Sequence, residues 1–164
     1  MSQVVDFYVV PDSSIAAIQK AAVPQKTRWY RAPEDTFWQT LWGSAGQGEL
    51  NFDWGGYAFV VLIEYLRERG DFDVDACETS ELASFLTKAR ESYFLTFTVA
   101  QAEKWAQKLR TIAPDDENVT KFVTGFSHED ERDTMIQAVR SAITVFPPAL
   151  NAVRPGTIGL LHVG

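Results

Sequence analysis

Three short segments of the chain have the apolar patterns of β-strands. Residues 4–10 alternate between two sets of side chains, residues 93–97 are almost wholly apolar, and residues 157–163 are again mostly apolar. A period of two predicts a strand with two distinct faces, and a short continuous apolar run is typical of an interior strand. We therefore expect a small mixed sheet formed by these segments.

Apolar residues at helical spacing predict about five to six helices packed around this sheet. Their starts fall near Asp12, Pro33, Gly56, Thr79, Thr98 and Ser127, and their ends near Ala22, Gly43, Arg69, Ala89, Leu109 and Pro147. Thr98 with Gln101 has the pattern of a capping box, as has Ser127 with Asp130. Since we find no repeat and no linker, we predict a single α+β domain over residues 1–164.

Four local patterns carry a family resemblance. They are a strand leading into a helix that opens at residues 11–15, Asp53-Trp54 before an apolar helix, Leu95-Thr96 at a strand end, and a closing strand over residues 158–163. In this order they resemble the YfbM-like family, the domain of unknown function 1877. That family usually has a lysine before this tryptophan and a histidine after it, where this chain has Asp53 and a Gly-Tyr-Ala stretch. Because the family has no settled activity, the resemblance implies a fold and no function.

The bulk composition excludes several classes of protein. The 164 residues have 46% hydrophobic and 23% charged side chains, a formal net charge of −7 and a single cysteine, Cys77. An acidic chain repels a phosphate backbone, so we expect no nucleic-acid partner. No apolar run approaches the roughly 20 residues that span a bilayer, and no signal-peptide pattern is present, so we expect no membrane partner. One cysteine allows no internal disulfide, and a cytoplasmic location is therefore expected.

The negative charge is concentrated in two segments. Residues 64–81 and residues 115–133 each carry a net charge of −5, whereas residues 82–114 carry +3. Such segments favour the approach of a basic protein or a cationic ligand, mainly through the encounter rate. The alternative is that they are ordinary solvated surface.

The most unusual feature is a block of aromatic residues in the first half of the chain. Nine of the 21 aromatic residues fall within residues 29–59, including four of the five tryptophans. Aromatic side chains dominate the energetics of cores and of interfaces, so the block predicts either the centre of the core or the edge of a binding site. The candidate binding residues are Trp29, Tyr30, Trp38, Trp42 and Trp54, with Arg28 and Arg31 beside the first pair. Trp38 and Trp42 are four residues apart and are expected on one side of a helix.

Two other patterns match known sites only in part. Residues 71–75 place acids at the first, third and fifth positions of a calcium loop, but the required glycine and glutamate are missing. The same alternation is typical of an exposed edge strand guarded by acids. Residues 43–48 are rich in glycine but follow a helix and contain no lysine, so they predict an exposed loop rather than a phosphate site. We expect neither a metal site nor a cofactor.

Two carboxylates inside the aromatic block offer an enzymatic alternative. Glu49 and Asp53 lie close to Trp54, and acids beside tryptophans are common in sites that cleave or bind sugars. Desolvation by Trp54 would raise the pKa of Asp53. The simpler interpretation is that Asp53 caps the helix that follows it.

These patterns favour a non-enzymatic binding module. Its contact face would be formed by Trp29, Tyr30, Trp42 and residues 43–48, and the acidic segments would steer a basic protein partner. An immunity-like or antitoxin-like role fits by analogy alone. The alternatives are a small-molecule ligand, and a small hydrolase that uses Asp53 or Glu49 as general acid or base inside an aromatic pocket.

Overall fold

The computed structural model describes residues 4–24, 34–45, 50 and 52–164. Within these ranges the chain forms three strands and eight helices, which confirms the predicted α+β class. The strands are β1 (Val5–Pro11), β2 (Tyr93–Phe97) and β3 (Thr157–Val163). The helices are α1 (Ile15–Ala22), α2 (Phe37–Ala45), α3 (Tyr57–Arg69), α4 (Val74–Glu78), α5 (Glu81–Arg90), α6 (Val99–Leu109), α7 (Glu117–Phe126) and α8 (Arg132–Leu150).

The sheet has the order β1-β3-β2, and both pairs of neighbouring strands are antiparallel. It is therefore antiparallel rather than mixed, because β1 and β2 run in the same direction but are separated by β3. The register places Asp6 of β1 and Phe94 of β2 opposite His162 of β3. Since side chains alternate along a strand, these three residues form one row on one face of the sheet.

The two faces of the sheet belong to two separate cores. Phe7 and Leu161 point into the larger one, the major core, which α3, α4, α6, α7 and α8 complete. Tyr8 and Leu160 point into the smaller one, the minor core, which α1, α2 and α5 complete. Neighbouring residues on one strand thus serve opposite cores. The described residues form a single domain in which helices cover both faces of the sheet.

Aromatic rings meet at the centre of the major core. The ring of Phe146 lies 5.3 Å from that of Phe59 and 5.8 Å from those of Phe7 and Phe97, each edge to face. Such pairs contribute about 0.5–1.5 kcal/mol beyond the area that they bury. Part of the aromatic block, Phe59 included, is therefore core.

Local signals explain where two of the helices begin and end. The N–H of Gln101 donates to the Thr98 hydroxyl at 3.3 Å, and the Gln101 side chain accepts from the N–H of Thr98 at 2.9 Å. This reciprocal pair confirms the predicted capping box before α6. Gly70 follows α3 at φ +73°, a left-handed conformation that glycine adopts without strain.

Two helices were not predicted from the sequence. α4 lies partly in the segment expected to be an exposed edge strand, and it turns Val74 and Cys77 into the major core. α7 supplies Val119 and Val123 to the same core. α4 has only five residues and includes acids, so its sequence shows no helical spacing. α7 does show this spacing, at Val119, Phe122, Val123 and Phe126, and the signal was missed. The count is therefore eight rather than five to six.

Three predicted helix ends were also wrong. α2 continues past Gly43 to Ala45, and Ser127 ends α7 instead of capping the last helix. α8 continues through Pro147 and Pro148, where we expected it to stop. The prolines lie in its last turn, so few ladder hydrogen bonds are lost, and the burial of Pro147 in the major core compensates. No helix in the described ranges combines the length and the apolar character needed to cross a membrane.

Replacement of Gly159 by alanine should destabilise the protein by about 1–3 kcal/mol. A Cβ at this position in β3 would lie 2.7 Å from Cζ of Phe7 and 2.9 Å from Cγ2 of Val153, both in the major core. Urea denaturation followed by circular dichroism measures the loss.

Gly125→Ala is the matched control for this substitution. A Cβ on Gly125, within α7, meets nothing within 4 Å. The helix should gain up to about 1 kcal/mol from its better propensity. Equal effects of the two substitutions would contradict the close packing of Phe7 against β3.

Candidate functional site

The strongest candidate site lies on the minor-core face of the sheet, at the row that contains His162. We define the His162 site by six residues that lie side by side there: Asp6, Tyr8, Trp38, Trp42, Phe94 and His162. β1, β2 and β3 supply four of them, and α2 supplies the two tryptophans.

His162 is a buried imidazole. Only 5% of the residue is exposed, and neither ring nitrogen has a hydrogen-bond partner among the residues that the structure describes. Its ring lies 4.7 Å from that of Trp38 and 4.8 Å from that of Phe94. The nearest charge is Asp6, whose Oδ2 is 3.8 Å from Nδ1, within ion-pair range but too far for a hydrogen bond. A buried polar group left unsatisfied costs about 1–3 kcal/mol, so this imidazole is held there against a local penalty.

Thr96 is a second buried polar residue on the same face of the sheet, and its role is structural. It is as buried as His162, with 3% exposed, but its hydroxyl forms a hydrogen bond with that of Ser80. Ser80 in turn caps α5 by accepting from the N–H of Ala83. The Thr96 hydroxyl is therefore satisfied, whereas the His162 nitrogens find no such partner in the described ranges.

Tyr8 fixes the outermost ring of the site. Its hydroxyl accepts a hydrogen bond from Nε1 of Trp42 at 3.3 Å. Burial raises the pKa of Tyr8 to about 12, the Trp42 hydrogen bond opposes the shift, and the neighbouring Asp6 carboxylate adds to it. The phenol is therefore neutral at ordinary pH. Trp42 is held at one edge while 53% of it is exposed.

α2 carries the two tryptophans in a graded order from core to surface. Phe37 and Leu41 are fully buried in the minor core, Trp38 is partly buried, and Trp42 faces outward. The rings of Trp38 and Trp42 are 6.3 Å apart and tilted by 31°, as their spacing of four residues predicts.

An ion pair anchors the start of α2 to α5. The guanidinium of Arg90 pairs with the carboxylate of Asp35 and lies 4.7 Å from the ring centre of Phe37. Its hydrogen bonds hold the pKa of Asp35 below the usual range. Asp35 also accepts from the N–H of Phe37 at 3.1 Å, which satisfies a free backbone donor of the helix. The helix that presents the tryptophans is thus fixed at its first turn.

The structure separates the candidate binding residues. Trp38 and Trp42 come together at the His162 site. Trp54, 38% exposed, lies before α3, where a Cβ on the nearby Gly56 would touch Val4 and Val163 at the end of the sheet. The remaining candidates, Arg28, Trp29, Tyr30 and Arg31, lie outside the described residues. The aromatic block is therefore divided between core and surface.

The structure does not support Asp53 as the general acid or base of a hydrolase. This side chain is exposed, so the desolvation that its role as a general acid requires is absent. It does not cap α3 either, since the residue at the cap is Gly56 and no side chain bonds the helix start. Glu49 lies outside the described residues.

Most acids of the segment 64–81 are paired within the fold. Arg67 contacts Glu64, Asp75 and Glu78, and Arg69 contacts Asp71 and lowers the pKa of that carboxyl group. This segment therefore attracts a distant partner less than its sequence suggests.

The partial calcium pattern does not form a metal site. Asp73 accepts a hydrogen bond from Nε1 of the buried Trp105 at 2.6 Å, while Asp71 and Asp75 pair with arginines. Among the residues that the structure describes, no group of three potential ligands could hold a metal ion.

The second acidic segment lies on the far side of the sheet from Trp42. Residues 115–133 include α7, which packs on α3 and α8 over the major core. α2 instead packs on α1 and β1 over the minor core. This acidic segment, expected to steer a basic partner, and Trp42, expected to contact it, thus lie on opposite sides of the sheet.

Cys77 is not a nucleophile in this fold. The residue is fully buried in the major core, and burial, with a smaller contribution from Asp73, raises the pKa of its thiol to about 12. The thiol therefore stays protonated and acts as a small apolar side chain.

Four members of the His162 site were not predicted from the sequence: Asp6, Tyr8, Phe94 and His162. The signal was present, because Asp6 and Tyr8 share a parity within the apolar alternation of β1, and His162 shares one with Leu160 in β3. A charged residue inside an apolar strand usually has a partner, because charged side chains are rarely buried alone. Only the register of β1 on β3 shows that Asp6 and His162 are opposite each other.

Raising the pH from 10 to 12 should destabilise the protein through Tyr8. An unfolded tyrosine ionises near pH 10 and folded Tyr8 near 12, so the unfolded state loses its proton first. The contribution of Tyr8 to the free energy of unfolding is complete below pH 10. It falls by about 2 kcal/mol as the pH rises to 12. The measurement is the free energy of unfolding against pH for wild type and Tyr8→Phe, whose difference should shrink over this window.

Tyr57→Phe is the control, because 46% of Tyr57 is exposed. This variant should keep the wild-type dependence on pH. A constant difference between wild type and Tyr8→Phe from pH 9 to 12 would show that Tyr8 ionises as an exposed phenol does.

Comparisons with protein-family models, with curated proteins and with solved structures found no match for this chain. The resemblance to the YfbM-like family stays a prediction.

Proposed function

We propose that this chain is a binding module that receives an arginine or lysine side chain of a basic protein partner on the exposed face of Trp42. The observation that supports this proposal best is that the Trp42 indole is both exposed to solvent and fixed in its orientation. It is 53% exposed, yet it is held by a hydrogen bond to Tyr8 and lies beside Trp38. A large ring that is both exposed and fixed is typical of a contact residue.

The fixed orientation of Trp42 favours affinity. A ring that is held before binding loses little conformational entropy on contact. The electron-rich face of an indole attracts a guanidinium or an ammonium group by about 0.5–2 kcal/mol, depending on how far water is excluded. Trp42 therefore suits a cation better than it suits an anion.

The charges near this ring also favour a cation. The Asp6 carboxylate is partly exposed beside Tyr8, which accepts the hydrogen bond from Trp42. Arg90, a cation of the neighbouring helix, is occupied by Asp35 and by the ring of Phe37. The net charge of −7 adds a long-range attraction for a basic partner, although its densest part, residues 115–133, acts from the opposite side.

Trp42→Ala should weaken the binding of an arginine-rich peptide at least tenfold, a loss of about 1.4 kcal/mol. The probe is a ten-residue peptide of alternating arginine and glycine, titrated calorimetrically at low and at moderate salt. Asp6→Asn should weaken it as well, because the carboxylate beside the ring is removed. In NMR spectra of the wild type, the indole N–H signal of Trp42 should shift most among the five tryptophans.

Trp54→Ala is the matched control, since Trp54 is also exposed but lies outside the His162 site. It should bind the peptide as the wild type does. If Trp42→Ala and Trp54→Ala bind equally well, or if moderate salt abolishes binding equally in every variant, the attraction is only that of the net charge and the proposal fails.

A further inference from the structure

A groove between α3 and α7 lies on the other side of the sheet from the His162 site. Its volume is about 310 Å³, and it is lined by Tyr65, Glu68, Arg69, Asn118, Lys121 and Phe122. Both helices belong to the major core, whereas α2 belongs to the minor core. This feature, the α3–α7 groove, is therefore separate from the surface at Trp42 and takes no part in the function proposed above.

Three aromatic rings follow one another from the floor of this groove to the surface. The ring of Tyr65, which is only 4% exposed, lies 5.4 Å from that of Phe122. The ring of Phe122 stacks on that of Phe126 at 4.7 Å, and Phe126 is 49% exposed. A single exposed phenylalanine is ordinary, but a row of rings that continues from a groove to the surface is typical of a contact site.

Two of the three charged side chains that line the groove are already paired. Arg69 pairs with Asp71 at 3.2 Å, and Nζ of Lys121 lies 3.7 Å from the carboxylate of Glu117. The third, Glu68, is exposed and forms no ion pair with any described residue. An unpaired carboxylate beside aromatic rings favours a partner that is both cationic and apolar.

The acidic segment 115–133 extends this negative surface. It includes α7, and three of its seven acids precede the aromatic row in the chain while the other four follow it. Six of the seven are exposed, and among the described residues only Glu117 forms an ion pair, with Lys121. The segment 64–81, by contrast, is largely neutralised by its own arginines. The charge of the segment 115–133 is therefore left for a partner.

This charge distinguishes between the possible occupants of the groove. A second copy of the chain would bring two segments of net charge −5 together, and like charges across an interface oppose binding. The phosphates of a nucleic acid or of an anionic membrane would be repelled in the same way. A basic protein segment is attracted instead.

The spacing of the rings favours a partner segment that is helical. Successive rings along the row lie 5.4 Å and 4.7 Å apart, and side chains one turn apart on a helix are separated by about 5.4 Å. Apolar residues one turn apart on a partner helix would therefore fall on Phe122 and Phe126. An amphipathic helix typically occupies a groove in this way.

We propose that the α3–α7 groove docks a basic amphipathic helix of a protein partner. Apolar side chains of that helix cover Phe122 and Phe126, and a lysine or arginine of its polar face pairs with Glu68. The burial of the half-exposed Phe126 ring supplies most of the affinity, and the unpaired acids of the segment 115–133 raise the rate of encounter.

A model peptide tests this proposal. The probe is a peptide of leucine and lysine, about 14 residues long, with the leucines on one side of the helix that it forms. We expect calorimetry to detect its binding to the wild type, and the amide signals of α3 and α7 to shift in NMR spectra. Phe126→Ala should weaken binding about tenfold or more. Trp42→Ala, which removes an exposed ring on the other side of the sheet, should leave the affinity unchanged.

Two pairs of substitutions with equal changes of net charge test the position of the groove at moderate salt. Glu68→Gln should weaken binding about two- to fivefold, whereas Glu81→Gln, at an exposed position of α5, should have no effect. Lys121→Gln should strengthen binding, because the peptide then meets a free Glu117. Lys88→Gln, also at an exposed position of α5, should not.

Circular dichroism shows whether each variant is folded, and the two charge-matched pairs carry the test if Phe126→Ala is not. Equal affinity of the wild type and folded Phe126→Ala, or equal effects within each pair, would overturn the proposal. An equal loss of binding in Trp42→Ala would do the same. So would a dimer in sedimentation that Phe126→Ala dissociates, since a second copy would then cover the groove. The arginine–glycine peptide has no apolar side chains and tests Trp42 alone, so the two proposals can fail separately.

Discussion

The burial of β3 on both of its faces is the constraint on which the rest of the structure depends. β3 is the central strand, and helices cover it from two sides. Leu161 belongs to the major core while its neighbour Leu160 belongs to the minor core, and both are fully buried. A shift of one residue in register would exchange the two cores, so the pairing of β1 with β3 is strongly specified. This pairing also determines which residues meet at the His162 site.

His162 is the exception to this rule of apolar burial. Thr96, equally buried on the same face, is satisfied by Ser80, but no described residue forms a hydrogen bond with the imidazole. Aromatic rings lie 4.7 Å and 4.8 Å from the imidazole ring, and the Asp6 carboxylate lies 3.8 Å from Nδ1. Proteins depart from apolar packing of the core mainly at functional sites, which makes His162 a candidate for function.

The surface on the minor-core side differs from that on the major-core side in its chemistry. Trp42 is a fixed aromatic ring near one carboxylate, whereas α7 and the acidic residues that follow it lie over the major core. In the segment 64–81, Arg67 and Arg69 neutralise much of the charge locally. A partner at Trp42 would therefore be selected by the ring and Asp6 rather than by the largest clusters of charge.

The sequence by itself determined the α+β class, the three strands, six of the helices and the capping box at Thr98, because these follow from local spacing and from caps. It also determined that Trp38 and Trp42 would be neighbours, since four residues separate them on one helix. Only the tertiary structure decided that α4 is a helix, that α8 continues through Pro147, and that Asp53 is exposed. It alone placed Asp6 beside His162. The reason is physical: contacts between residues more than 60 positions apart depend on strand register and on burial, and neither is written in any local pattern.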